Sequence, residues 1–227
     1  MSIKNQQNQF EGQGGTEQQS FLEKYQNIIV GVVVGILVIV IGVLAYQNLY
    51  LKPRNTEAIN AIYAAEQQFE KDSFENALLS PGAGNMGFLD IIDEYSGTPT
   101  ANLAKYYAGV SYMKLGKFEV AISYLEEFAA DGNITPITKY GLLGDAYSEL
   151  GDFAKAKSFY KKAGNTGDNT YLTPYYLKKL GMLHERDQEY KEALAAYKEI
   201  KEKYPESPDG YGIEKYISNI EFKDSVN

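Results

Sequence analysis

Between residues 101 and 205 one arrangement of side chains recurs three times, at intervals of 35 and 37 residues. Each copy carries an aliphatic residue followed by glycine: Ala108-Gly109, Leu143-Gly144 and Leu180-Gly181. Three positions after the glycine come Tyr112, Tyr147 and His184, and four further on Gly116, Gly151 and Gln188. Then follow Phe118, Phe153 and Tyr190, the alanines Ala121, Ala156 and Ala193, and finally Leu125, Tyr160 and Tyr197. Spacings of three and four place these residues on one face of a helix, and the second glycine of each copy punctuates two helices. Such a hairpin cannot bury its apolar face alone, so neighbouring copies must stack.

This register resembles the tetratricopeptide (TPR) pattern, in which small residues let antiparallel helices approach closely and large ones fill the space beside them. The expected fold is all-α: one N-terminal transmembrane helix, then a TPR α-solenoid with a C-terminal capping helix. The chain has 20 tyrosines and no tryptophan. Those at the repeated positions read as the packing ridge of the solenoid rather than as a binding cage.

Residues 28–46, IIVGVVVGILVIVIGVLAY, contain no charged side chain. At about 1.5 Å of rise per residue, a helix of that length nearly matches a hydrocarbon core of about 30 Å. A signal peptide would have a shorter apolar core and small residues at a cleavage site, whereas this segment follows a polar tail and runs into Gln47, Asn48 and Lys52. An uncleaved anchor is expected. Gly31 and Gly35 form a GxxxG pair and Gly42 continues roughly the same face, a candidate contact with another membrane helix. Tyr25, Tyr46 and Tyr50 bracket the span as interfacial rings would. Lys4 and Lys24 before it and Lys52 and Arg54 after it balance, so the positive-inside rule leaves orientation open.

The organisation expected is a polar, disordered tail at 1–27, the transmembrane helix at 28–50, a degenerate first repeat with an inserted loop at 51–100, three repeats at 101–205, and a capping helix with the C-terminus at 206–227. The tail is rich in Gln, Asn and Gly and lacks the apolar content for a core. In the degenerate repeat, Ala58, Ile62, Ala65 and Phe69 form one helical stripe, and Phe74 and Ala77 open a second helix. SPGAGNMG at 80–87 interrupts that second helix, which resumes as FLDIIDEY. Pro205 and Pro208 close the last repeat, and GIEKYISNIEF at 212–222 reads as the cap that shields its apolar side.

Removing Lys4, Lys24, Glu11, Glu17 and Glu23 from the 22 basic and 30 acidic residues leaves 20 and 27, a domain of about −7 with no basic stripe for phosphates. Nucleic acid is therefore not an expected partner. Cysteine is absent, which removes disulfides, thiolate metal sites and a cysteine nucleophile, and fits either a reducing cytoplasm or the periplasm. His184 is the single histidine, and its context LHERD supplies no second metal ligand, so a core or groove-wall role is expected. Asp93-Glu94 and Glu126-Glu127 diverge by about 100° around their helices and read as solvated faces. No phosphate loop occurs. The reading is a binding protein rather than an enzyme, with neither cofactor, metal nor small-molecule substrate expected.

The order of parts, with GFLDIIDEYSGTPTANLAKYYAGVSYMKLGKFEVAISYLEEF and the C-terminal IKEKYPESPDGYGIEKYI, resembles the YfgM-like group of bacterial membrane-anchored TPR proteins. The resemblance implies an inner-membrane protein with its N-terminus in the cytoplasm and its repeats in the periplasm. It also implies an accessory role at the Sec translocon, beside SecYEG and a membrane-anchored periplasmic chaperone of the PpiD type. Similar architecture occurs in outer-membrane assembly and in cell division, so a structural tether stays open, as does a cytoplasm-facing adaptor of inverted topology.

Stacked TPR hairpins line a concave face with their first helices, at positions two, five, nine, twelve and thirteen of the unit. Those positions hold Leu103, Tyr106, Val110, Met113 and Lys114, then Thr138, Gly141, Asp145, Ser148 and Glu149, then Tyr175, Lys178, Met182, Glu185 and Arg186. TPR modules that grip a C-terminal carboxylate carry Asn at position nine. Val110, Asp145 and Met182 stand there instead, so a groove for a partner helix or extended segment is expected.

Overall fold

The computed structural model describes residues 13–82 and 84–226, with side chains placed from 25 to 225 among them. The chain divides after Pro53 into two compact units.

The first unit holds α1, Gln13–Ala45, and a π-helical turn, Tyr46–Leu51. One helix among the described residues, near the N-terminus, is long and apolar enough to cross a membrane. Its apolar side chains stand exposed, Val38 at 64% and Ile39 at 67%. A lone helix can stand in an apolar medium because it satisfies its own backbone groups. At the π turn Asn48 Nδ2 donates to the Leu44 carbonyl at 2.8 Å, Lys52 Nζ donates to Asn48 Oδ1 at 2.5 Å, and the Tyr46 and Tyr50 rings stack 5.3 Å apart. The helix begins at Gln13, so residues 13–27, read from composition as a disordered tail, are helical. Propagating a nucleated helix into Gln- and Glu-rich sequence costs little, and low apolar content does not prevent it. The rest of the tail, residues 1–12, lies outside the described residues.

The remaining helices, all but the first two residues of them in the second unit, are α2 Lys52–Glu70, α3 Phe74–Leu79, α4 Phe88–Glu94, α5 Pro99–Lys114, α6 Phe118–Glu127, α7 Thr135–Glu149, α8 Phe153–Thr166, α9 Leu172–Arg186, α10 Tyr190–Lys203 and α11 Ile213–Val226. Local signals set several starts. Thr98 Oγ1 accepts from the Ala101 amide at 3.1 Å with Pro99 in the first turn of α5, and Asp152 Oδ1 accepts from the Lys155 amide at 3.1 Å ahead of α8.

Pairs α5/α6, α7/α8 and α9/α10 are the three repeats, and each turns the same corner. Gly116, Gly151 and Gln188 sit at φ of 70°, 76° and 61°. The next amide reaches five residues back, Lys117 to Tyr112, Asp152 to Tyr147 and Glu189 to His184, each at 2.9 Å. This is the Schellman closure, which needs a left-handed residue. Asp72 turns the corner between α2 and α3 likewise, at φ 56°, with the Ser73 amide 2.9 Å from the Gln68 carbonyl. The degenerate hairpin therefore has the geometry of the others at its tip.

Within each hairpin the first glycine is a seat. A methyl group on Gly109 would lie 2.7 Å from Leu125 Cγ, one on Gly144 2.5 Å from Tyr160 Cδ1, and one on Gly181 2.4 Å from Tyr197 Cε1. Only a bare Cα lets the large residue of the second helix lie flat on the first. Ala121, Ala156 and Ala193 are fully buried where the two helices cross.

Around α2, Phe69, Phe88 and Tyr107 pack ring to ring, with Phe88 and Tyr107 stacked 5.0 Å apart. Asn55 Oδ1 accepts from both the Thr100 amide at 3.0 Å and its hydroxyl at 2.9 Å, and Arg54 lies 5.7 Å over the Tyr95 ring and bonds the Glu94 carbonyl. At the other end Ile213, Ile217 and Ile220 of α11 bury against Tyr197, Ile200 and Tyr204. Each such isoleucine contributes about 1.5–3 kcal/mol by leaving water.

Candidate partner-binding site

The first helices of the three repeats, α5, α7 and α9, share an open cavity of about 550 Å³. Its walls include Val110, Met113 and Lys114 from α5, Asp145, Ser148 and Glu149 from α7, and Met182 from α9, all positions expected on the concave face. Five further residues complete it: Leu142, Lys179 and Leu183 from the first helices, and Phe118 and Tyr160 from the second helices.

Asp145 stands at the polar centre. Its Oδ1 accepts from Tyr160 Oη at 2.7 Å and from Lys179 Nζ at 2.6 Å, and Lys179 lies 4.7 Å over the Tyr175 ring. Burial opposes the charge on Lys179, but its hydrogen bonds to Asp145 and Tyr175 outweigh that and hold the ammonium above its usual pKa. Burial, then the Asp145 charge, drives the Tyr160 phenol well above its ordinary value. Lysine and phenol both keep their protons at neutral pH. No described group donates to Asp145 Oδ2 within hydrogen-bonding distance.

The other expected residues lie elsewhere. Leu103 and Tyr175 are exposed outside the cavity wall. Tyr106 packs its ring against Tyr107 and Phe128, and burial raises its phenol pKa. Lys178 pairs with Asp209 at 3.1 Å and lies 5.0 Å over Tyr216, while Glu185 takes Lys223 at 2.8 Å and Asn219 at 3.2 Å. Both are thus engaged with the C-terminal segment. Arg186 lies 3.4 Å over the Phe153 ring. Gly141 is not groove surface: it is buried, and a Cβ there would strike the Tyr176 ring at 1.9 Å. In the first unit, ideal Cβ positions on Gly31, Gly35 and Gly42 meet nothing within 4 Å, so that face is open on this chain.

Two signals could have found the missed residues. Leu142 and Lys179 each follow an expected position by one residue, and a helical side chain covers the surface N-terminal to its own Cα. The repeat pattern places Tyr160 on the packing ridge, where its ring does lie on Gly144; its hydroxyl nevertheless reaches the cavity, because a tyrosine has an apolar body and a polar tip. His184 faces a carboxylate. Its Nδ1 is 2.5 Å from Glu189 Oε2, which also takes Lys157 at 2.6 Å. Among the described residues no cluster of three His, Asp or Glu side chains stands close enough to hold a metal ion.

With this geometry in view, the chain can be set beside known proteins. Residues 103–131, 140–163 and 179–207 match family models described as tetratricopeptide repeat. Two crystal structures of nearly identical TPR-like repeats, assigned to a kinesin light chain of Podosopora anserina, superpose with a TM-score of 0.56. One, a point variant of the other, is 12% identical to this chain and the second is 11% identical; each alignment covers 76% of this chain and 89% of the other. At that identity the likeness concerns the fold. A search of curated protein sequences finds no match. Tetratricopeptide repeats bind protein partners. Register, corner geometry and family models agree that tetratricopeptide repeats lie within residues 103–207, and the superposition agrees with an all-helical, TPR solenoid-like fold.

Proposed function

We propose that this protein is a membrane-anchored adaptor that holds a segment of a partner protein on its concave face. The observation that carries the reading is the combination at one cavity of an apolar wall, Val110, Met113, Leu142 and Met182, with a carboxylate whose Oδ2 has no donor among the described residues. A partner side chain can bury on the first, and a partner N–H can donate to the second. Lys114, Ser148 and Glu149 complete that wall, Leu103, Tyr106 and Tyr175 extend the surface beyond it, and Lys178, Glu185 and Arg186 edge it toward the C-terminus. The resemblance to YfgM-like proteins supplies the setting: residues 28–50 span the bacterial inner membrane, the N-terminus is cytoplasmic, the repeats are periplasmic, and the partners are SecYEG and a PpiD-type chaperone.

Gly31, Gly35 and Gly42 then contact the translocon while the groove holds the chaperone or an emerging chain. Joining two weak contacts on one chain raises the effective concentration at the second to about the mM range, so modest affinities suffice for residence. Co-purification in mild detergent tests the division. Charged substitutions at Tyr106, Met113, Tyr175 and Met182 should release the soluble partner and keep the translocon, and isoleucine at Gly31 and Gly35 should do the reverse. Unchanged co-purification in both variants would overturn it. A periplasm-only reporter fused after Asn227 should be active, and activity of a cytoplasm-only reporter there would refute the orientation.

A further inference from the structure

The third repeat departs from the first two at one internal pair. In the first, Tyr112 stacks on Tyr124 at 5.5 Å, and in the second Tyr147 stacks on Phe159 at 5.3 Å. The same two positions in the third hold His184 and Ala196. No ring stands at Ala196, and His184 turns to Glu189 instead. Where the stack is missing there is a second cavity, of about 330 Å³, lined among others by Leu177, Leu180, His184, Ala195 and Ala196. It lies among α8, α9 and α10, separate from the concave groove.

The charges at this cavity are sorted by helix. α8 contributes Lys157 and Lys161, and α10 contributes Glu192 and Glu199. Lys157 is committed to Asp187 and Glu189, and Glu199 to Lys203. Lys161 and Glu192 have no ion-pair partner among the described residues, so the walls are bridged at the Lys157 end and these two charges face the hollow unpaired. The lining spans Lys157 to Asn165 on one wall and Glu192 to Glu199 on the other, two turns each. That length, about 11 Å, suits a rod-like ligand better than a point one.

We infer that this hollow is a second docking site, and that it receives a short helix of a partner protein presenting one aromatic side chain between a carboxylate and a basic group. The aromatic ring occupies the place that Tyr124 and Phe159 fill in the other repeats. The carboxylate faces Lys161 and the basic group faces Glu192. This site stands independently of the concave-face reading.

The test uses the full chain in detergent and a stapled helical peptide. The peptide carries p-benzoylphenylalanine in an apolar stripe, with glutamates on one flank and lysines on the other. Photo-crosslinks, mapped by mass spectrometry, should fall on Leu177, Ala195 or Ala196. Ala196→Phe with His184→Tyr rebuilds the stack of the other repeats in a folded protein and should lower the yield at least about tenfold, as when one aromatic side chain is left outside its hollow. Lys161→Glu should lower it about two- to fivefold, in a salt-dependent way. Met113→Glu with Met182→Glu, which alters only the concave groove, should leave it unchanged. Absence of crosslinks at millimolar peptide, crosslinks mapping to the concave face, or yield insensitive to the rebuilt stack would overturn the proposal.

Discussion

The second and third repeats are built on one register and part company where the register is silent. Both seat a tyrosine on a glycine, Tyr160 on Gly144 and Tyr197 on Gly181, and both bury an alanine at the helix crossing, Ala156 and Ala193. Yet the second closes its flank with a stacked ring pair and turns its corner on glycine. The third leaves a hollow at Ala196 and turns on Gln188. Positions that set the distance between helices keep their residue size from copy to copy. Positions that only fill the flank are free to change size, as from Phe159 to Ala196.

The largest effects are expected at the glycine seats. Gly144→Leu and Gly181→Leu should each abolish cooperative melting or cost more than about 3 kcal/mol, because side-chain carbon must enter an occupied ring. Chemical denaturation followed by circular dichroism measures this, and a mild effect at either site would mean the seats are dispensable. Ala156→Leu should overpack its crossing by about 1–3 kcal/mol on the same assay.

Rebuilding the stack sharpens the contrast in the other direction. Ala196→Phe with His184→Tyr should raise stability by about 0.5–1.5 kcal/mol beyond the area buried, the worth of a well-placed aromatic pair. A loss would show that the hollow is too narrow for a ring. Gln188→Gly should gain up to about 1 kcal/mol by relieving a left-handed side-chain residue, whereas the reverse change, Gly151→Gln, should lose a similar amount.

The smallest effect is a pH dependence confined to the third repeat. Hydrogen bonds from Lys157 and His184 hold the Glu189 carboxyl below its usual range. A depressed folded-state pKa adds stability above the unfolded value and loses it as pH falls through the folded one. The melting-temperature difference between wild type and Glu189→Gln should therefore shrink as pH falls below about 4.3. A difference that widens in acid would reverse the sign of this contribution.

Most of the architecture is readable in the sequence because the constraints on it are local and periodic. Glycine at a fixed interval predicts both a corner and a seat, and the recurrence of Leu125, Tyr160 and Tyr197 predicts what occupies the seat. The stripe of Ala58, Ile62 and Ala65 read from the sequence is buried. What escapes depends on side-chain reach and on neighbours distant in sequence. Lys179 enters the groove because Asp145, 34 residues earlier, accepts a hydrogen bond from its ammonium. Gly141 leaves the face because Tyr176 covers it. The hollow at Ala196 is visible only when three repeats are compared as packed objects, since one alanine in a helix carries no signal. Helix in the tail from Gln13 escapes because composition reports on cores, and a helix extended from a neighbour does not need one.

The tie between Asn55 and Thr100 joins two helices that chain order separates by the inserted 80–87 loop. Arg54, bonded to the Glu94 carbonyl over the Tyr95 ring, adds a second stitch across the same gap. Continuity of the polypeptide at the exposed Gly84 is therefore not what holds the first hairpin onto the rest. That makes the loop a graft point. A cut there should yield two fragments that stay together under native conditions, and a foreign domain spliced in should ride on the solenoid without unravelling its leading end.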